Sequence, residues 1–363
     1  MEDNREGVAR PLVNRRPPMD NAPMHIASDE QLDDVLSEPT PADVQAMREM
    51  EGDLLILGVS GKMGPSLARR ARRACEAAGV RRRIIGVARF ADPVARDALD
   101  RSGIETVPAD LLAPGALDAL DDVPNVIYMA ARKFGSTGDE AYTWAMNSYL
   151  PGRVAERFAR SRIVAFSTGN VYPLTPVDGG GPTETSPVGP VGEYAMSALG
   201  RERIFTHFSR LNGTPTVLLR LNYAVEPRYG VLHDIGRKVF LRQPIELTMG
   251  HVNVIWQGDA NSVCLRSLAC AQSPPLVLNL TGLQTLAVRW IAQRFAERLG
   301  IDPVFTGAES PTALLSNAAL CGRMFGPPGV PVEQVIDWTA DWIARGGTSL
   351  GKPTHFETRD GRF

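Results

Sequence analysis

Along most of this chain, short wholly apolar runs alternate with longer stretches in which apolar residues recur at helical spacing. Leu54-Leu55-Ile56-Leu57 is the first such run. It carries no polar residue, as expected of a strand buried on both faces of a parallel sheet. Helix-favouring residues follow from Pro65 to Ala78, closed by Gly79 where a left-handed residue can end the helix. The same reading places strands at Arg83 to Ala88, Glu105-Thr106-Val107, Asn125 to Met129, Arg162 to Ser167 and Thr216 to Leu221. Between them fall helices at Asp92 to Arg101, Ala116 to Leu120, Ala141 to Arg160 (interrupted by Pro151) and Glu193 to Leu211. This alternation predicts an α/β fold, a Rossmann doubly wound parallel sheet, with no internal repeat.

The pattern weakens at both ends. Residues 1 to about 28 are rich in Pro, Arg and Asn without an apolar period, which predicts a flexible arm. Ser28 and Thr40-Pro41 are cap signals for short helices at Asp29 to Leu36 and Ala42 to Met50. After Tyr223 short strands are scattered among helices. Ala287 to Leu299 and Pro331 to Ala344 carry apolar stripes (Trp290, Ile291 and Phe295; Val335, Trp338 and Trp342) that predict core. The expected organisation is an N-terminal arm with short helices over 1–52 and a dinucleotide-binding domain over 53–223. A smaller α+β substrate lobe over 224–363 would send segments back to the main sheet.

A formal net charge of -2 over 363 residues gives no global field for nucleic acid or anionic lipid. No apolar stretch approaches the ~20 residues of a membrane span, and the N-terminus lacks the apolar centre of a signal peptide. The four cysteines (Cys75, Cys264, Cys270 and Cys321) form no CxxC pair and no ligand-like cluster with the histidines, so no metal site is expected. They read as reduced, buried thiols suited to the cytoplasm.

Chemistry enters at Gly58-Val59-Ser60-Gly61-Lys62-Met63-Gly64, between the first strand and the first helix. Glycine at the turn permits positive φ, the second lets the backbone approach a pyrophosphate, and the third lets helix and strand pack closely. A triplet so placed predicts a dinucleotide site. The second strand runs into Arg89, a bidentate phosphate partner where a carboxylate would accept bonds from the adenosine ribose. Arg89 favours NADP, with NAD the alternative because Asp92 lies nearby.

Together these residues resemble the extended short-chain dehydrogenase/reductases, the NAD-dependent epimerase/dehydratase group, in register from about residue 53 to 345. The resemblance implies that Asp110 and Leu111 hold the adenine ring and that Met129, Ala130 and Ala131 run beside the cofactor. It implies that Asn147 supports the site and that the Ser167-Thr168 hydroxyls bind substrate. Tyr194 would be the acid/base, touching cofactor and substrate. The implied activity is oxidoreduction, epimerisation or dehydration of a sugar, nucleotide-sugar or similar polyhydroxylated small molecule. A homodimer through helices at Ala141 to Arg160 and Glu193 to Leu211 is a further implication.

One position departs from the resemblance. The family pattern is Tyr-x-x-x-Lys, and the fourth residue after Tyr194 is Ala198. A free tyrosine titrates near ~10, so its phenolate needs a neighbouring cation at neutral pH. Lys133 is the favoured substitute. Arg132 is less favoured, and Arg201, two helical turns beyond Tyr194, reads as too distant. The other reading keeps the dinucleotide site and discards hydride chemistry, giving a regulatory or scaffold protein. Arg228, Tyr229, His233 and Arg237 fall where the lobe would meet a substrate.

Overall fold

The computed structural model describes residues 25–362 other than 134 and 136. The expected arm therefore lies, up to residue 24, outside the described residues. The principal elements are α1 (Asp29–Ser37), α2 (Pro41–Glu49), β1 (Leu54–Leu57), α3 (Gly64–Ala78), β2 (Ile84–Ala88), α4 (Pro93–Arg101), β3 (Glu105–Pro108) and β4 (Asn125–Tyr128). There follow α5 (Glu140–Trp144), α6 (Leu150–Arg157), β5 (Arg162–Thr168), α7 (Gly192–Asn212), β6 (Thr216–Leu221), α8 (Val231–Phe240) and α9 (Gln257–Ser267). The chain then forms β7 (Leu276–Leu280), α10 (Val288–Leu299), α11 (Ala319–Phe325) and α12 (Val332–Ala344).

Seven strands form one sheet in the order β7-β6-β5-β4-β1-β2-β3, and every neighbouring pair is parallel. This is a Rossmann-like α/β fold. The order reverses beside β1, which pairs Leu54 with both Ile84 and Asn125, so the crevice above β1 and β4 is the switch point where open sheets bind ligands. Side chains alternate across β1. Leu54 and Ile56 enter the core beneath α3 and α9, while Leu55 and Leu57 enter the one beneath α6 and α7.

A second core joins α8, α10 and α12, with Phe295, Trp338 and Trp342 fully buried in it. Leu32 and Leu36 of α1 enter this core, whereas Met47 of α2 enters the sheet core beside α3. The short N-terminal helices thus pack across both. Ser28 Oγ accepts from Gln31 N, and Thr40 and Asp43 form a reciprocal capping box, matching the cap residues read from sequence.

Two local expectations differ. Ala116–Leu120 is a series of turns, because so short a stretch gains too few hydrogen bonds to offset helix nucleation. Pro151 does not break its helix. The backbone instead widens into a π turn over Ala145–Tyr149 and continues as α6. Past α12, residues 346–362 form a strap without regular structure. Leu350 N donates to Arg228 O, Phe356 is 1% exposed in the second core, and Gly361 packs on Gly192 at the start of α7. No helix among the described residues is long and apolar enough to cross a membrane.

Candidate functional site

The glycine loop forms one wall of the crevice. Gly58 adopts φ +92°, and a Cβ there would lie 2.7 Å from Ala130 N, so the loop nests against the segment after β4 only as glycine. A Cβ on Gly64 would strike the Val59 carbonyl, which fixes the close start of α3. Gly61 and Ser60 are exposed at the tip, and no side chain caps α3, leaving its first amides and positive dipole end for an anion. These features fit a dinucleotide pyrophosphate.

Arg89 is exposed just beyond β2, followed by Phe90 at φ +47°. Asp92, the carboxylate that complicated the reading of Arg89, caps α4 by accepting from Val94 N at 2.9 Å. Asp110 is exposed beyond β3 and accepts from Leu112 N at 3.0 Å, with Leu111 buried beside it. A pocket of about 250 Å³ continues from the loop, lined by Gly58, Gly61, Lys62 and Met63 on that side. Met129 and Ala131 line it from the segment after β4, in which Ala130 is buried.

Opposite the loop stand the ends of β5 and α7. Burial pushes the Tyr194 hydroxyl above its ordinary value, opposed by the Arg201 charge and by a hydrogen bond with Thr168. Consecutive strand residues point to opposite faces, and Ser167 and Thr168 divide accordingly. Thr168 meets Tyr194, whereas the Ser167 hydroxyl donates to Glu202 at 2.6 Å. Glu202 is held by Arg220 through Nε at 2.9 Å and Nη2 at 2.7 Å, and Arg220 donates on to Tyr172 Oη at 2.7 Å. Ser167 is therefore the upper end of a buried ionic network.

Asn147 is the clamp beneath. Its Oδ1 accepts from Arg132 N at 2.9 Å, and its Nδ2 donates to Arg132 O at 2.8 Å and to Ser197 Oγ at 3.0 Å. The loop after β4 is thereby tied to α7. Pro151 has no N–H to give the Asn147 carbonyl four residues earlier, and that carbonyl accepts from Arg201 Nε at 3.3 Å. Arg201 Nη2 also donates to Asn147 Oδ1 at 2.9 Å and Nη1 to Phe166 O at 2.8 Å.

Arg201 thus corrects the expectation that it lies too far from Tyr194. Helical side chains lean toward the N-terminus, and a long guanidinium recovers much of the two-turn separation of about 10 Å. Lys133 also lines the pocket. Its Nζ stands 5.9 Å from the Tyr194 ring centroid and donates to Thr354 O at 3.5 Å, and burial pushes it down to about 8. Ala198 is fully buried against Val171 and Tyr172.

Of the four lobe residues, Tyr229 alone lines the pocket. Arg228 binds Asp29, Asp33 and Glu226, His233 is buried between Pro227 O and Ser349, and Arg237 is exposed. Sequence reasoning missed Asn222, Tyr223 at φ +48° and Thr354. Tyr223 is strained for a non-glycine residue, as residues at ligand-facing turns often are. A larger apolar groove of about 810 Å³ beside Trp256, Trp290 and Val335 has Glu333 as its one charged lining residue among those described, and gathers no acid–base group around it.

Residues 54–245 match the model of the NAD dependent epimerase/dehydratase family. Among solved structures, UDP-glucuronic acid 4-epimerase from Bacillus cereus, with a UDP-4-deoxy-4-fluoro-glucuronic acid and NAD, superposes with a TM-score of 0.69 at 16% identity. UDP-glucose 4-epimerase from Thermus thermophilus with NAD gives 0.66 at 19%, and MoeE5 with UDP-glucose and NAD gives 0.67 at 18%. Each of these covers 81% of this chain and 99% of its own, and at such identities the likeness speaks for the fold. No curated relative matches the sequence.

Proposed function

The chain belongs to the NAD dependent epimerase/dehydratase family, and on that footing we propose that it is an NAD(P)-dependent oxidoreductase or epimerase of a polyhydroxylated small molecule. The observation that carries this reading is the Tyr194 hydroxyl, bonded to Thr168 in a pocket whose opposite wall is the glycine loop. A nicotinamide dinucleotide bound along Gly58 to Gly64, Met129 and Ala131 supplies the hydride acceptor or donor. Thr168 Oγ1 orients the substrate hydroxyl, and Tyr194 Oη takes or returns its proton. The charges of Arg201 and Lys133 favour the phenolate in place of the lysine absent at Ala198. Asn147 holds the loop and α7 in register.

Ala198 favours the second reading, a dinucleotide-binding regulatory protein. Denaturing the purified protein and identifying any released nucleotide by chromatography, beside NAD and NADP titrations, separates the outcomes. Tightly retained NAD supports a cofactor-recycling epimerase or dehydratase, and exchangeable binding supports a dehydrogenase. Failure to bind either would sink both readings.

Within this proposal, Arg89 favours NADP because its exposed guanidinium stands at the ribose end of the crevice while Asp92 is engaged at its cap. Arg89→Ala is expected to raise the KM for NADP about tenfold, the worth of one charge-assisted contact, and to leave NAD nearly unchanged. Equal losses for both cofactors would refute the preference. A homodimer is supported by Tyr149 and Met196, exposed at 61% and 46% on the helices expected to pair. Met196→Glu is expected to convert a dimeric mass in light scattering to a monomeric one, and a monomeric wild type would end the idea.

A further inference from the structure

The strap at 346–362 crosses from the second core to the start of α7, and its course passes over the pocket. Thr354 lines the pocket. Its N and Oγ1 donate to Asp234 of α8 at 2.8 and 2.6 Å, and its carbonyl accepts from Lys133 at 3.5 Å. One strap residue thus joins α8 to the loop after β4. Phe356 follows, buried in the second core, and Glu357 stands 3.4 Å from Lys238 of α8. Arg359 Nη1 then donates to Thr248 O and Thr312 O, both at 2.9 Å, and its Nη2 donates to Thr312 Oγ1 at 2.7 Å.

The crossing ends in a latch of two glycines. Gly361 adopts φ +73°, and a Cβ there would lie 2.2 Å from Val191 O. Gly192 adopts φ +82°, and a Cβ there would lie 2.4 Å from Gly361 O. Gly192 opens α7 two residues before Tyr194. The strap is therefore fastened to the second core on one side and to the helix of Tyr194 on the other.

This course limits what the pocket can take. Its volume is about 250 Å³, below the ~300–1,000 Å³ usual for drug-sized ligands, and on the reading above a nicotinamide occupies part of it. The glycine loop walls one side and the strand ends form the floor, so a longer ligand would have to leave between the second core and α7. Arg359 and Gly361 already bridge that gap, from Thr248 and Thr312 to Val191 and Gly192. Opening it would uncover Phe356 and strip Asp234 and Arg359 of these partners.

Inside, Asn222 lines the pocket at 2% exposure, and its Nδ2 has no hydrogen-bond partner among the described residues. A donor so buried calls for an acceptor oxygen on a bound molecule. With Thr168 and Tyr194 it makes three uncharged hydrogen-bonding groups, suited to the hydroxyls of a single ring or polyol.

We propose that the substrate is a free sugar or polyol of about monosaccharide size, carrying no nucleotide, and that the latched strap is what excludes a nucleotide. The proposal rests on the reading of Tyr194 given above, and binding and turnover separate the two. Calorimetric titrations on protein saturated with NAD or NADP would compare D-glucose, D-galactose and D-xylose with their UDP conjugates, beside myo-inositol. At least one free compound is expected to bind about tenfold or more tightly than every UDP conjugate. UDP conjugates binding as tightly as the free compounds, or no binding by any free compound, overturns the proposal.

Gly361→Val should unseat the latch while Phe356 keeps its place in the core. The preference for the free compound over the UDP conjugates is expected to shrink about tenfold in this variant, with cofactor affinity held within about twofold. An unchanged preference in the folded variant would overturn the role given to the strap. Thr354→Val, which removes one donor to Asp234, is a milder opening of the same roof, and the wild-type ranking decides the substrate class even if both variants fail to fold. A free compound that binds without turnover on either cofactor would sink the oxidoreductase reading and leave this one standing. Turnover of a UDP conjugate would support that reading and overturn this one.

Discussion

Tyr194→Phe is expected to lower turnover by about 10²- to 10⁴-fold, the usual worth of a positioned acid/base, while nucleotide affinity stays within about twofold. The hydroxyl removed faces Thr168 and the pocket, while the ring stays buried and continues to pack, so fold and cofactor crevice should survive. Steady-state rates on a confirmed substrate beside a dinucleotide titration make the check. Turnover within tenfold of wild type would mean that another group moves the proton. The sign of the pH dependence follows from the same site. Burial raises Tyr194 above its ordinary value, so without further help the phenolate is scarce at neutral pH and oxidation should speed up as pH rises. Reduction, which needs the protonated tyrosine, should not share that rise.

The second large effect concerns stability. Arg220→Ala would leave Glu202, 3% exposed, as a buried carboxylate with the Ser167 hydroxyl as its remaining side-chain donor among the described residues. Removing one member of a buried pair costs about 3–5 kcal/mol, because the other keeps its desolvation penalty without its counter-charge. Denaturant unfolding should show this loss in the midpoint. Replacing both members by leucine is expected to recover much of it, since an apolar pair has no charge to desolvate. A single variant within about 1 kcal/mol of wild type would mean that water reaches Glu202 and that the network is not closed. The network also ends on Ser167 beside the pocket, so the unfolding and activity losses of Arg220→Ala should appear together.

How much of this was legible beforehand depends on range. The strand–glycine loop–helix opening is local: an apolar run, a positive-φ glycine and a helix start are written in consecutive residues, and they specified the fold and the loop that walls the pocket. Tyr194, Thr168 and Asn147 were identifiable through resemblance, but their division of labour was not. That Thr168 rather than Ser167 faces Tyr194 follows from strand alternation once the face is known, and the sequence does not state the face. Arg201 was misjudged because counting turns measures Cα separation and ignores the reach of a long side chain. Pro151 was read as an interruption, whereas a π turn absorbed it and left the Asn147 carbonyl to accept from Arg201. Thr354 had no signal at all. It enters the pocket through a strap placed by Phe356, Asp234 and Gly192, all distant along the chain or buried in another core.

That strap has a consequence for how such a site can change over generations. Thr168 ends a central strand, Tyr194 is buried on α7 and Gly58 nests against the segment after β4, so substitution at these positions is punished. The roof is a loop-like segment fastened by a handful of contacts, and most of its residues outside Thr354 and Phe356 are exposed. Drift can therefore accumulate in the roof while the Thr168–Tyr194 pair beneath it stays intact, so divergent copies of this chain would change what the pocket admits sooner than they changed that pair. Grafted straps of different length offer a laboratory route to the same end.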